Sequence, residues 1–230
     1  MRLAPGAEPQ LFIVSGPSGS GKTTVVERLL KDAPGLLFSI SCTTRAPRAG
    51  EQDGREYHFI GKDEFEAMLV RDELLEHANI FGEYYGTPRR NLEAAQRQGK
   101  DLLLDIDVLG ARQVKGKLPQ AVAILLVPPS AQELERRLTS RAQDRPDVIR
   151  RRLERAREEI EHYHSYDYLV VNHALEETCR SVTAIVAAER AQRSGERVAA
   201  DAAAQAEAAR KDNNKTQISA ILESFGAKTQ

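Results

Sequence analysis

The chain has no tryptophan, two cysteines and two methionines, and only 5% of its residues are aromatic. Cys42 and Cys179 are too few for a disulfide framework, which fits a reducing cytoplasm. An excess of either charge is also missing, since 33 Lys plus Arg against 34 Asp plus Glu leave a formal charge of −1. That excludes a strongly basic nucleic-acid binder or an acidic tail protein at the level of the whole chain. The longest apolar run, Ala121 to Val127, is far too short to span a bilayer. No apolar signal core follows Met1. The sequence therefore predicts neither nucleic acid nor membrane as a partner. What is present, 230 residues at 41% hydrophobic and 29% charged, suits a soluble globular protein whose core needs no staple.

Short apolar runs alternate with helical patterns. Leu11 to Val14 reads as a buried strand, and Lys22 opens a helix with Val25, Val26, Leu29 and Leu30 on one face. Strands are predicted at Leu36 to Ile40, Tyr57 to Ile60 and, more weakly, Glu73 to Phe81. Asp63 with Glu66 suggests a helix start, as does Thr87 before Pro88 with Gly99 as the stop. Leu102 to Ile106 and Ala121 to Val127 are continuous apolar runs of the kind buried between helices in a parallel sheet. Ser130 and Glu133 form a capping box before an arginine-dense stretch, Leu134 to Arg157, and Pro146 suits a first helical turn within it. A strand at Asp167 to Val171 and a helix at Leu175 to Gln192 complete an α/β, doubly wound pattern.

Gly16-Pro17-Ser18-Gly19-Ser20-Gly21-Lys22-Thr23 satisfies G-x-x-x-x-G-K-[ST] between a predicted strand and a helix. Its glycines let backbone N–H groups turn around a phosphate, and the helix N-terminus adds positive potential. Lys22 would reach the β- and γ-phosphates of a nucleotide, with Thr23 as a Mg²⁺ ligand and Thr24 beside it. The motif does not name the phosphoryl acceptor.

Downstream, Ser39-Ile-Ser41 leads through Arg45, Arg48, Gly50 and Glu51 to Tyr57 and Phe59. Glu76 precedes Gly82-Glu-Tyr84-Tyr85-Gly86-Thr87, and Leu104-Asp105-Ile106-Asp107 ends a buried strand. Taken alone, Tyr84 and Tyr85 read as strand aromatics, Glu76 as a solvated face, and Arg45 and Arg48 as surface charges. In that order, and with the phosphate loop, they closely resemble the guanylate kinase family, colinearly from about Leu11 to Asn172 and on towards Gln192.

The resemblance implies a P-loop fold with a mostly parallel sheet, a GMP-binding region at about residues 39–88 and a lid at about 136–152. It implies transfer of the ATP γ-phosphoryl group to GMP, and to dGMP, with Mg²⁺, in purine nucleotide metabolism. Arg45, Arg48, Tyr57 and Tyr85, with Glu51 close by, would hold the GMP phosphate. Ser41, Glu76 and Thr87 would read guanine, with Asp105 and Asp107 near them. Guanine offers N1–H and N2–H₂ as adjacent donors that one carboxylate accepts together, and adenine does not. Arg137, Arg141 and Arg152 would contact ATP and the transferred group, and Asn172 would lie near adenosine. Ala142 and Arg145-Pro146 depart from the family's usual lid residues. Asp105 and Asp107, read as two residues on one strand face, would supply a carboxylate to the water shell of Mg²⁺. A related kinase with another acceptor would not need the Ser41, Glu76 and Thr87 set. A protein-binding module of the same fold would not need Lys22, Thr23 and the arginines.

Beyond Arg193 the composition changes. Val198 to Lys211 is alanine-rich, Asp212 to Lys215 is polar, and Ile218, Ile221, Leu222 and Phe225 form one short apolar stripe. Residues 193–230 thus read as a helical or partly disordered extension. The stripe needs a surface, on its own domain or on a second subunit, so a homo-oligomer is compatible with the sequence. No motif in the extension completes the site, so truncation after Gln192 is expected to leave turnover little changed.

Overall fold

A computed structural model describes residues 9–80, 82–141 and 145–226. The chain divides into two compact units. One comprises residues up to Ile13 together with Pro34–Ala121, and the other comprises Val14–Ala33 and the chain from Val122 onward.

Strand β1 (Leu11–Ser15) runs from the first unit into the second and is buried throughout. It is the middle strand of a five-stranded sheet ordered β2-β7-β1-β8-β9, with β2 at Leu36–Phe38, β7 at Asp101–Asp105, β8 at Val122–Val127 and β9 at Tyr168–Val171. β2 pairs with β7, and β8 with β9, in parallel. The run Leu102–Leu104 is fully buried, as is all of β8, as expected of parallel strands covered on both faces.

The first unit also holds a four-stranded sheet ordered β4-β3-β6-β5: β3 at Cys42–Thr43, β4 at His58–Phe59, β5 at Leu74–Ile80 and β6 at Glu83–Pro88. β5 and β6 form an antiparallel hairpin whose register sets Glu76 opposite Thr87. Alternation along β6 sends Tyr84 into a small core of Cys42, Phe65, Met68 and Leu74, where it stacks on Phe65 at 5.2 Å. Tyr85 points to the other side. This unit also contains α2 (Lys62–Val70), α3 (Arg90–Gln98) and α4 (Val108–Lys117).

Several boundaries differ from the sequence reading. Thr87 and Pro88 end a strand, and α3 starts at Arg90, because the hairpin register outweighs the local helix-start signal. Gly99 does stop α3, in a left-handed conformation at φ 61°. α2 begins at Lys62 after Gly61, so Asp63 lies inside its first turn and does not cap it. Phe81 lies outside the described residues.

The second unit contains α1 (Lys22–Asp32), α5 (Ala131–Arg141), α6 (Pro146–Glu161), α7 (Leu175–Ser194), α8 (Ala200–Ala208) and α9 (Lys215–Ser224). The arginine-dense stretch is thus two helices, with Pro146 at the start of the second. Ser130 caps α5 by accepting from the Glu133 N–H at 3.2 Å. The Glu133 carboxylate turns to Arg136 and Arg137. Among the described residues, no helix is long and apolar enough to cross a membrane.

Candidate functional site

In the second unit, the turn after β1 brings Gly16, Gly19 and Gly21 into positive φ, at 145°, 89° and 95°. Side chains are excluded there by contact as well as by conformation. A Cβ on Gly16 would lie 2.0 Å from the Leu126 carbonyl oxygen, and one on Gly21 2.4 Å from the Asn172 amide nitrogen. Ser20 N–H donates to the Pro17 carbonyl at 3.1 Å, closing the turn. Gly21 leads into α1 without a side-chain cap, so the first N–H groups of that helix remain available to an anion. Lys22 Nζ donates to the Gly16 carbonyl at 2.6 Å and to that of Pro17 at 3.4 Å, lying back along the loop. Thr23 and Thr24 are exposed on the first turn of α1. The Ser20 hydroxyl is buried without a hydrogen-bond partner among the described residues.

Two of the arginines reach the same neighbourhood. Arg152 donates to Ser18 Oγ at 3.4 Å. Arg137 pairs with Glu133 at 2.7 Å and donates to the Asn172 carbonyl at 2.8 Å. Hydrogen bonds from Arg136 and Arg137 hold the Glu133 carboxyl down at about 2. Arg141 is the last residue of α5; its side chain and residues 142–144, Ala142 among them, lie outside the described residues. Asn172 is buried behind the loop. Its amide donates to the Ser20 carbonyl at 2.8 Å, and its oxygen accepts from Thr178 at 3.0 Å. Both ends of the side chain are thereby committed to protein.

In the first unit a second group assembles around the β5–β6 hairpin. Thr87 Oγ1 donates to Glu76 Oε1 at 2.6 Å and lies 3.3 Å from Ser41 Oγ. Glu76 is 4% exposed. Burial, assisted by the nearby Asp107 carboxylate and opposed by the Thr87 hydrogen bond, pushes its carboxyl up to about 7. Asp107 is not on the strand. β7 ends at Asp105, and Asp107 caps α4, accepting from the Gly110 N–H at 2.8 Å. The expectation that Asp105 and Asp107 share one strand face therefore fails, because the chain turns into a helix after Ile106. Gly110, which the spacing of the sequence gave no reason to select, supports Glu76 directly: a Cβ there would lie 2.6 Å from Glu76 Oε2.

Arg45, Tyr57 and Tyr85 also meet. Arg45 Nε donates to the Tyr85 hydroxyl at 3.1 Å, and the guanidinium lies 5.7 Å from the Tyr57 ring centre. The Tyr57 and Tyr85 rings pack edge-on at 5.8 Å. Glu51 takes both remaining Arg45 nitrogens at 2.9 Å and the Arg48 backbone N–H at 2.7 Å. The Arg45 guanidinium lowers the Glu51 carboxyl below its usual range. The Arg48 side chain is exposed beside them.

A phosphate loop on the central strand of an α/β sheet defines a P-loop nucleotide-binding protein. Relatives narrow the class. The sequence profile of the guanylate kinase family matches residues 8–189. The guanylate kinase of Koribacter versatilis is 49% identical over 221 residues, covering 94% of this chain and 95% of that one. That of Bradyrhizobium diazoefficiens is 49% identical over 184 residues, covering 80% and 84%. The crystal structure of guanylate kinase from Anaplasma phagocytophilum superposes with a TM-score of 0.64 at 35% identity, over 81% of this chain and 88% of that one. The chain belongs to the guanylate kinase family.

Proposed function

We infer that the protein transfers the γ-phosphoryl group of ATP to GMP, giving ADP and GDP, in purine nucleotide metabolism. The observation that carries this reading is the hydrogen-bonded set Ser41, Thr87 and Glu76. It offers a buried carboxylate and two hydroxyls, the groups that complement guanine's adjacent donors and its O6. Arg45 and Arg48, with the Tyr57 and Tyr85 hydroxyls, hold the acceptor phosphate. Glu51 acts by orienting Arg45, since a carboxylate gains nothing from contact with a phosphate. Asp105 and Asp107 border this group, and Asp107 works through the start of α4.

On the donor side the backbone of residues 16–21 and Lys22 hold the ATP phosphates, with Thr24 on the same helical turn. Arg137, Arg141 and Arg152 neutralise charge on the transferring group. Asn172 braces the loop from behind, near the adenosine of ATP. A phosphate oxygen of GMP attacks the γ-phosphorus, and the bond from phosphorus to the oxygen retained by ADP breaks. The attacking phosphate is already an anion, so no side chain must remove a proton.

The exposed Thr23 hydroxyl on an uncapped first turn is an oxygen donor that suits Mg²⁺. When bound with ATP, that ion supplies neutralisation of the β- and γ-phosphate charge. A cytoplasmic setting, with small-molecule substrates and no nucleic-acid or membrane partner, fits this chemistry. A coupled ADP-release assay with ATP and GMP, dGMP, AMP, CMP or UMP tests the reading. GMP and dGMP are expected to turn over, with AMP lower by about 10²-fold or more. AMP turnover equal to that of GMP would overturn it.

A further inference from the structure

The segment after α7 lies beyond the family match and has no part in the reading above. Two of its contacts lead back to the phosphate loop. The first runs through α5. Ser224 accepts from the Ala131 N–H at 2.9 Å, satisfying an N–H at the start of that helix, and donates to the Ile221 carbonyl at 2.6 Å. Phe225 packs on the buried cluster Leu134, Leu138 and Ala156. The same two leucines form the seat of the loop. A Cβ on Gly19 would lie 2.8 Å from Leu134 Cδ1 and 3.1 Å from Leu138 Cδ2. The cluster that Phe225 packs against therefore contains the two leucines that meet Gly19.

The second contact runs through β9. Arg210 bridges Tyr168 in antiparallel fashion, Leu169 N–H donates to the Ala209 carbonyl at 2.8 Å, and Lys211 N–H donates to that of Asp167 at 3.2 Å. Arg210 also stacks on Tyr168 at 4.4 Å and pairs with Glu189, which accepts from the Tyr168 hydroxyl. β9 leads directly into Asn172, whose amide holds the Ser20 carbonyl. Gly19 and Ser20, adjacent residues of the phosphate loop, are thus each supported by an element that the extension fastens.

We propose that the extension from Ala200 to Phe225 is a positioning element of the ATP site, setting the phosphate loop through Leu134, Leu138 and β9. The proposal rests on the reading that this loop takes ATP. Preorganised backbone donors lose much of their effect when displaced by a fraction of an ångström, and displacements of that size are within reach of altered packing one side chain away. On this proposal, truncation after Gln192 would weaken ATP binding, contrary to the expectation that it leaves turnover little changed.

Full-length Ser224→Ala/Phe225→Ala, with Ser224→Ala and Phe225→Leu as milder variants, tests this by steady-state kinetics and by calorimetric titration with ADP and with GMP. The double variant is expected to raise the KM for ATP and weaken ADP binding roughly tenfold, leaving the KM for GMP within about twofold. Phe225→Leu should restore most of the loss. Unchanged affinity for ADP and ATP would overturn the proposal. So would a fall in kcat that tracks the folded fraction with neither KM altered, which is what a merely structural role gives. Lys22→Met serves as the control on the underlying reading. If that variant retains turnover, the donor assignment falls and this proposal with it. If it is inactive while the extension variants bind ADP normally, only this proposal falls.

Discussion

On the proposed reading, the two units would meet their anions by opposite means. In the second unit the binding groups are backbone N–H donors released by glycine, and the surrounding side chains mainly brace the loop. In the first unit the proposed binding groups are side chains already occupied with one another: Arg45 with Glu51 and Tyr85, and Glu76 with Thr87. A backbone cradle carries no net charge, so it adds little electrostatic cost to the fold. A carboxylate 4% exposed does add one. The comparison predicts that changes at the donor site mainly affect rate, whereas changes at the acceptor site affect rate and stability in opposite directions.

The largest effect is expected from Lys22→Met, which removes the one formal positive charge of the phosphate loop. Turnover should fall roughly 10²- to 10⁴-fold while GMP binding, measured by calorimetry, persists. A variant within about threefold of wild type would remove the contrast between the units.

Glu76→Gln comes next. It should lower kcat/KM for GMP by about 30- to 100-fold, because an amide donor faces guanine's donors, and affect AMP relatively less. Stability should move the other way. A carboxyl raised to about 7 in the fold favours the native state when protonated. That contribution is complete below its unfolded value and is lost as pH rises through 7. Glu76→Gln should therefore stabilise the ligand-free protein at pH 8, by on the order of 3 kcal/mol, and leave it unchanged near pH 4. Thermal unfolding at both pH values tests this. In the parent protein, kcat/KM for GMP should decline as pH falls through about 7, and the variant should lose that limb.

The smallest and most specific effect is expected from Gly110→Ala. Alanine is favoured over glycine in a helix by about 1 kcal/mol, so stability should hold or rise. The new Cβ must displace Glu76 Oε2, which lies 2.6 Å from its position. The KM for GMP should increase about three- to tenfold. The acid limb should move to lower pH as the carboxyl turns towards water. An unchanged limb would show that Gly110 does not set Glu76.

These differences also explain what the sequence could reveal. The phosphate loop was legible because a backbone site needs glycine at fixed spacing within one contiguous string. The proposed guanine-reading set spans Ser41 to Thr87, and only the order of family motifs links those positions. No local pattern distinguishes Glu76 from a solvated strand residue; its buried place beside Thr87 follows from a hairpin register and from Gly110. Helix α4 was missed because Val108–Lys117 contains two glycines and no clear apolar stripe. With no helix signal there, Asp107 reads from sequence as a strand residue. The stripe in the extension was visible, but its partners Leu134 and Leu138 are distant in sequence, and apolar periodicity does not name the surface it covers.

The bridge between Arg210 and Tyr168 has one further consequence. β9 is the last strand in its sheet, so its outer backbone groups would otherwise form an open edge able to pair with another chain. Residues 209–211 cover the start of that edge with antiparallel hydrogen bonds, and Arg210 lays a charged guanidinium across the Tyr168 ring. The extension thereby blunts the start of a surface on which strands from neighbouring molecules would otherwise add.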